Sequence, residues 1–347
     1  MSNQYYCGLD FHKNFAELCV LDQEGKTIEQ VRVKTEQLVK FLANRKDYHI
    51  AIEASGGVFD IVARLKESGH KVTIINPAQF RAIGITGKKT DKKDALALAT
   101  ALRLGFVPEV HQKTIYSRRL KSLLASRDLV VRTRTQLTNH IRGILREYGL
   151  PMNQGITAFW EEIEITLVQL DCEAVREVLR SLAKQAAVLA EQEAKVETAL
   201  QVLAGEDERV KRLDAVPGVG FLTAVAFVAT IDDVKRFPDS KHVGSYLGLT
   251  PRENSSGGKR RLGSITKAGP ELLRRYLIHG ARSTMRYAPT PENRLRCWAD
   301  RVEKRSGTKK AVVALAHKHA RICFALLRDD AEYGKKKHQN KTQAKAA

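Results

Sequence analysis

The hydrophobic period of this chain changes once, near residue 105, and that change limits the folds open to it. Before it, Tyr5–Asp10, Ala16–Leu21 and Thr27–Val33 read as three short strands, with Gln23-Glu24-Gly25-Lys26 turning between the second and third. A helix is expected near Glu36–Asn44, a strand at His49–Glu53, a helix across Val58–Ser68 and a strand at Lys71–Ile75, which Asn76-Pro77 ends. Asp91–Leu104 reads as the next helix, with Thr90 as its N-cap. Three meandering strands followed by alternating helices and strands predict a mixed α/β sheet.

Beyond that point the period becomes helical. Leu120, Leu124, Val131, Leu137, Ile141 and Leu145 form a stripe on one long helix over 117–148, decorated with arginines and ended by Pro151. A second helix, about 170–204, carries Val175, Leu182, Leu189, Val196 and Leu203 at seven-residue intervals, widened by Val178, Leu179, Ala186 and Leu200. Such heptads predict a coiled coil, and periodicity leaves a subunit interface and an antiparallel hairpin of the two helices equally open. Residues 205–330 read as a compact helical region with turn-rich insertions. The basic, apolar-poor tail over 331–347 is expected to be disordered.

Charge follows the same division. The chain has a formal net charge of +20. Residues 1–115 hold 17 Lys and Arg against 13 Asp and Glu, and the remainder holds 42 against 26. An excess so placed points to a nearly balanced catalytic module followed by parts that grip a polyanion such as DNA. Five scattered cysteines without a CxxC pair argue against zinc and disulfides and for reduced thiols in a cytoplasm. No signal peptide is expected, no apolar run reaches membrane-spanning length, and no basic amphipathic anchor is evident.

Four acidic residues stand out by position. Asp10 ends the first strand, Glu53 ends the fourth, and Asp91 and Asp94 share one face of a helix. Carboxylates so ordered can converge at one sheet edge. There they would hold two magnesium ions ~4 Å apart, which would activate a phosphodiester and stabilise the leaving oxygen. The order matches RNase H-like nucleases, RuvC resolvases in particular. Gly8-Leu9-Asp10-Phe11-His12-Lys13 also looks like the first phosphate loop of sugar kinases, but the Gly-rich loops those enzymes need later are not evident here.

Two later motifs carry glycine and charge. Val216-Pro217-Gly218-Val219-Gly220 resembles a helix-hairpin-helix turn, in which Gly218 and Gly220 would let backbone N–H groups meet a phosphate; a plain helix connection fits equally well. Ser255 and Ser256 precede Gly257-Gly258 in a loop followed by Lys259, Arg260, Arg261, Lys267, Arg274 and Arg275. A serine among such cations could attack phosphorus and conserve the bond energy in a covalent intermediate, although Ser-Ser-Gly-Gly on its own marks a loop.

Taken together, these motifs resemble the DEDD transposases of the insertion-sequence-110 family and their Piv-type invertase relatives. The matching residues are Gly8-Leu9-Asp10 with Lys13, Ile52-Glu53-Ala54, Asn76-Pro77, Lys89 through Ala95, Pro217 through Gly220, Gly248 through Arg252, Ser256-Gly257, and Lys267-Ala268-Gly269 with Leu273-Arg274. The resemblance implies a RuvC-like RNase H-fold domain over 1–115, a coiled-coil segment over 116–204 and a mainly helical transposase domain over 205–330. It implies that Asp10, Glu53, Asp91 and Asp94 are the magnesium-binding carboxylates and that Ser256 is the nucleophile. It further implies DNA recombination in a bacterial cytoplasm by a homo-oligomer that joins half-sites across subunits, guided by a noncoding bridge RNA. A RuvC-like structure-selective nuclease and a non-enzymatic DNA-binding scaffold are the alternatives.

Overall fold

Five strands, four of them with continuous buried runs, build the sheet of the N-terminal unit, Met1–Lys113, in the computed structural model, which describes residues 4–45, 47–82, 90–259, 261–288 and 293–334. Strands β1 (Tyr5–Phe11), β2 (Phe15–Leu21) and β3 (Thr27–Lys34) meander. Then come α1 (Leu38–Leu42), β4 (Tyr48–Glu53), α2 (Val58–Glu67), β5 (Lys71–Ile75), α3 (Pro77–Ala82) and α4 (Asp91–Arg103). The strand order is β3-β2-β1-β4-β5, with the meander antiparallel and β1, β4 and β5 parallel. The sheet is mixed, as the sequence predicts, and α3 is an element the sequence does not announce.

Period-two alternation gives the sheet two apolar faces. On one, Cys7, Leu9, Leu18, Val20, Ile50 and Ile52 pack with Leu38 and Leu42 of α1 and Val58, Val62 and Leu65 of α2. On the other, Cys19 and Leu21 meet Ala95 and Ala99 of α4, and Ala51 and Ile75 meet Leu98 and Leu102. Helix α4 presses so closely on β1 that a Cβ on Gly8 would stand 1.9 Å from the Ala95 carbonyl oxygen and 2.5 Å from the Ala99 nitrogen. Only glycine admits that approach. Thr90 caps α4, its Oγ1 accepting from the Lys93 N–H.

The second unit, Thr114–Ala347, opens with α5 (Ile115–Glu147), α6 (Ile156–Val168) and α7 (Glu173–Ala204). Helices α5 and α7 run antiparallel within one chain: Tyr116 Oη donates to the Leu203 carbonyl, and Arg127 donates to Glu193 and Glu197. The expected heptad residues Val175, Leu182, Leu189, Val196 and Leu203 are half-buried, whereas Leu179, Ala183, Ala186, Leu200 and Ala204 are buried. Val178, which the heptad reading puts in the seam, is 60% exposed. The cause is the second partner. Helix α6 lays Phe159, Ile163 and Leu167 over Ile141, Leu145, Leu179 and Ala183, so the buried stripe follows two neighbours rather than one strict heptad line.

The remaining elements are α8 (Glu208–Asp214), α9 (Phe221–Ile231), α10 (Ser240–Tyr246), β6 (Pro251–Glu253), β7 (Leu262–Ile265), α11 (Glu271–Tyr287), α12 (Arg294–Ser306) and α13 (Thr308–Arg328). Their core gathers Leu213, Phe227, Leu277, Leu315 and Phe324, with α9 buried along almost its whole length. Among the described residues, no helix is long and apolar enough to cross a membrane. Arg260 and the tail from residue 335 lie outside the described residues.

Candidate active site

Strand register assembles the acidic edge. Asp10 of β1 faces Glu17 of β2, and Glu17 faces Arg32 of β3. On the other side Leu9 pairs with Ile52, so Asp10 and Glu53 follow at neighbouring strand ends. Residues in register share a face, which makes Glu53, Asp10, Glu17 and Arg32 one charged row across four strands. It is the face that carries Gly8, two residues before Asp10, and therefore the face covered by α4. The close approach at Gly8 sets the first turn of α4, with Asp91 and Asp94, above the row.

Three donors come together there. His12 Nε2 lies 3.1 Å from Asp10 Oδ2 and 3.7 Å from Asp91 Oδ1. One ligand atom from each of Asp10, His12 and Asp91 falls within 4.8 Å of the others, a spacing that could hold a metal ion. Burial pushes the Asp10 carboxyl above its ordinary value; His12 works the other way, while Asp94 and Asp91 add like-charge repulsion. A divalent cation would relieve that crowding. Glu53 and Asp94 stand outside the close trio, Glu53 on the adjoining strand end and Asp94 along the helix from Asp91.

A clamp holds this arrangement. Glu17 is 1% exposed, and Arg32 Nε donates to its Oε2 at 2.9 Å. The same guanidinium donates through Nη2 to Asp91 Oδ2 at 3.0 Å, linking the sheet to α4. Sequence reasoning singled out none of His12, Glu17 and Arg32. His12 had a signal, an imidazole two residues after the strand-end aspartate; Glu17 and Arg32 become partners only through register.

In the second unit, β6 and β7 form an antiparallel hairpin that carries the serines. Gly257 and Gly258 both have positive φ, 56° and 75°, and the Lys259 N–H donates to the Ser256 carbonyl at 3.1 Å. Two left-handed residues closed by that bond are what a type I′ turn requires, and glycine adopts them without strain. Ser255 Oγ donates to Glu253 Oε1 at 2.7 Å and accepts from the Arg261 N–H at 3.1 Å. Ser256, exposed beside the turn, has no side-chain hydrogen bond among the described residues. The two hydroxyls are therefore in different states.

The expected cations divide. Lys259, Arg261 and Lys267 are exposed. Lys267 holds a left-handed backbone, φ 56°, because its segment lies against Gly248, where a Cβ would meet the Ala268 nitrogen at 2.5 Å. Arg274 corrects the sequence reading: it is 7% exposed, and its Nη1 donates to the carbonyls of Leu247 and Ala268, so it ties the hairpin base together inside the fold. Arg275 pairs with Asp128 of α5. Gly218, φ 86°, is packed: a Cβ there would stand 2.1 Å from Thr284 Oγ1 and 2.8 Å from His319 Cε1. Gly220, the N-cap of α9, is exposed, and a Cβ on it would meet nothing within 4 Å.

An α/β unit with an acidic edge and a basic helical unit with an exposed serine hairpin suit an enzyme that acts on DNA strands, and comparison with known proteins gives the class, a DNA transposase or recombinase, and its family. Residues 210–296 match the family described as Transposase IS116/IS110/IS902 family, and residues 7–150 match a second family described as Transposase. The chain is 35% identical to the transposase for insertion sequence element IS1111A of Coxiella burnetii, over 92% of this chain and 88% of that protein. It is 32% identical to a probable family 20 transposase of Pseudomonas aeruginosa, over 92% and 96%. It is 25% identical to the pilin gene-inverting protein of Moraxella lacunata, over 96% and 99%. The chain belongs to the IS110 family of insertion-sequence transposases.

Proposed function

We propose that this transposase cuts and rejoins DNA through a covalent serine intermediate, with Ser256 as nucleophile and with Asp10, Glu53, Asp91 and Asp94 holding divalent cations. The observation that carries the reading is the exposed Ser256 hydroxyl beside a type I′ turn, next to a Ser255 hydroxyl already engaged by Glu253 and Arg261. A nucleophile needs a lone pair open to phosphorus, and that favours Ser256.

The strand order and the helix pressed against Gly8 of β1 support an RNase H-like, RuvC-like class for the first unit. Its crowded carboxylates suit a hard divalent cation, with two ions as the expected complement. When bound, the cations would supply charge stabilisation at the scissile phosphate. Asp91 is oriented for that task by Arg32, which occupies one carboxylate oxygen and leaves the other turned toward Asp10 and His12.

The protein's own chemistry balances simply. The Ser256 Oγ–P bond forms as the bond from phosphorus to one flanking sugar oxygen breaks. Ser256 loses its proton and the departing oxygen takes one up. The phosphodiester is conserved, so reversal onto a different sugar hydroxyl rejoins strands without an outside energy source. Lys259, Arg260, Arg261 and Lys267 would hold phosphates, and the N-terminus of α9 at Gly220 would receive another. A noncoding bridge RNA and a homo-oligomer complete the proposal; the positive excess after residue 115 supports a nucleic-acid partner of either kind.

The test is adduct trapping on DNA carrying the element's ends. Ser256→Ala should abolish the protein–DNA adduct, and Ser255→Ala should retain it. An adduct that survives Ser256→Ala removes the serine assignment, and cleavage without any adduct would favour a hydrolytic nuclease. Sequencing of co-purified RNA checks the guide.

A further inference from the structure

His12 is a donor that the four-carboxylate reading leaves unused. It lies in the turn between β1 and β2, and its main chain is pinned: its N–H donates to the Phe15 carbonyl at 2.9 Å, and its carbonyl accepts from Thr35 Oγ1 at 3.0 Å. Its ring rests against Phe15, with centroids 4.8 Å apart, and Phe15 in turn lies under the Arg32 guanidinium at 4.1 Å. The imidazole is thus held in place by packing, and Nε2 is the atom it presents to Asp10 and Asp91. Arg32 takes Asp91 Oδ2, which leaves Oδ1 on the His12 side. Ligands about 2.1 Å from a six-coordinate ion stand roughly 3–4 Å from one another. The separations of 3.1 and 3.7 Å already lie in that range.

We propose that His12 is a ligand of the cation held by Asp10 and Asp91, making this a mixed nitrogen–oxygen site that prefers manganese to magnesium. The inference rests on the divalent-cation reading above. Magnesium demands hard oxygen donors, whereas a first-row transition ion gains from an imidazole while keeping its carboxylates. The site's metal preference is then set by a residue outside the acidic set.

The experiment uses the full-length chain with Mn2+ alone, read by pulsed electron paramagnetic resonance. Bound Mn2+ should show coupling to one imidazole 14N, and the pattern should change to that of 15N in protein made with 15N-histidine. The coupling should disappear in His12→Gln. Competition with Mg2+ should show the manganese preference falling about tenfold in that variant. Bound Mn2+ without nitrogen coupling, or coupling retained in His12→Gln, overturns the proposal. The isotope exchange needs no substitution, so should the variant fold poorly, bound Mn2+ without histidine nitrogen coupling still overturns the proposal. Absence of any bound Mn2+ would overturn the divalent-cation reading itself, and this inference with it.

Discussion

His319 on α13 is fully buried beside the Gly218 turn, and burial holds its pKa down at about 4. The unfolded chain therefore binds a proton, between pH 6.5 and 4, that the folded chain refuses. Stability contributed at neutral pH is lost as the pH falls through that window. Between pH 7 and pH 5 the loss should be about 2 kcal/mol. Urea unfolding at the two pH values, in the wild type and in His319→Asn, measures it; an equal pH dependence in both would show that His319 is not its source. Arg274 and Ser255 illustrate the same sensitivity to surroundings, since each is read from sequence as surface chemistry and each is spent on holding the hairpin.

Helix α4 reaches its place through small residues, with Gly8 on the strand facing Ala95 and Ala99 on the helix. Gly8→Ala should cost about 1–3 kcal/mol, because the added methyl lies against backbone that cannot swing aside. Gly56, where a Cβ would meet nothing within 4 Å, is the control, and Gly56→Ala should stay within about 0.5 kcal/mol. Thermal unfolding of both variants decides it; equal shifts would mean that α4 gives way freely. Most elements were legible from the chain, because apolar period and turn residues are local signals: all five strands, α4 with its Thr90 cap, and the two long helices fall within a few residues of their expected bounds. Helix α6 was not anticipated, nor was the way it redirects the buried stripe of α7, because a helix's buried face depends on how many neighbours it has.

The two compact units, Met1–Lys113 and Thr114–Ala347, differ in charge as sharply as in fold, and the second carries most of the positive excess. Nucleic-acid binding should accordingly weaken steeply with salt, with a slope that counts the phosphate contacts. Lys267→Gly should lower that slope by about one. It should also leave the melting temperature unchanged or raised, because glycine relieves the left-handed backbone at this position. Binding measured across a salt series, with unfolding measured in parallel, separates the two effects. An unchanged slope would remove Lys267 from the nucleic-acid surface.

By itself the sequence determined the mixed sheet, the strand-end positions of Asp10 and Glu53, the helical pair Asp91 and Asp94, the Gly-Gly turn after Ser256 and the uneven charge. Each follows from residues within one element or one turn. The tertiary structure alone decided which of these meet: His12 between Asp10 and Asp91, Arg32 bridging Glu17 and Asp91, and Arg274 drawn inside while Lys259 and Lys267 stay out. Those are contacts across strand register and helix-on-sheet packing, between residues up to about eighty positions apart, and no local period encodes them. The acidic edge was written in the chain; the imidazole and guanidinium that complete it were placed there by the fold.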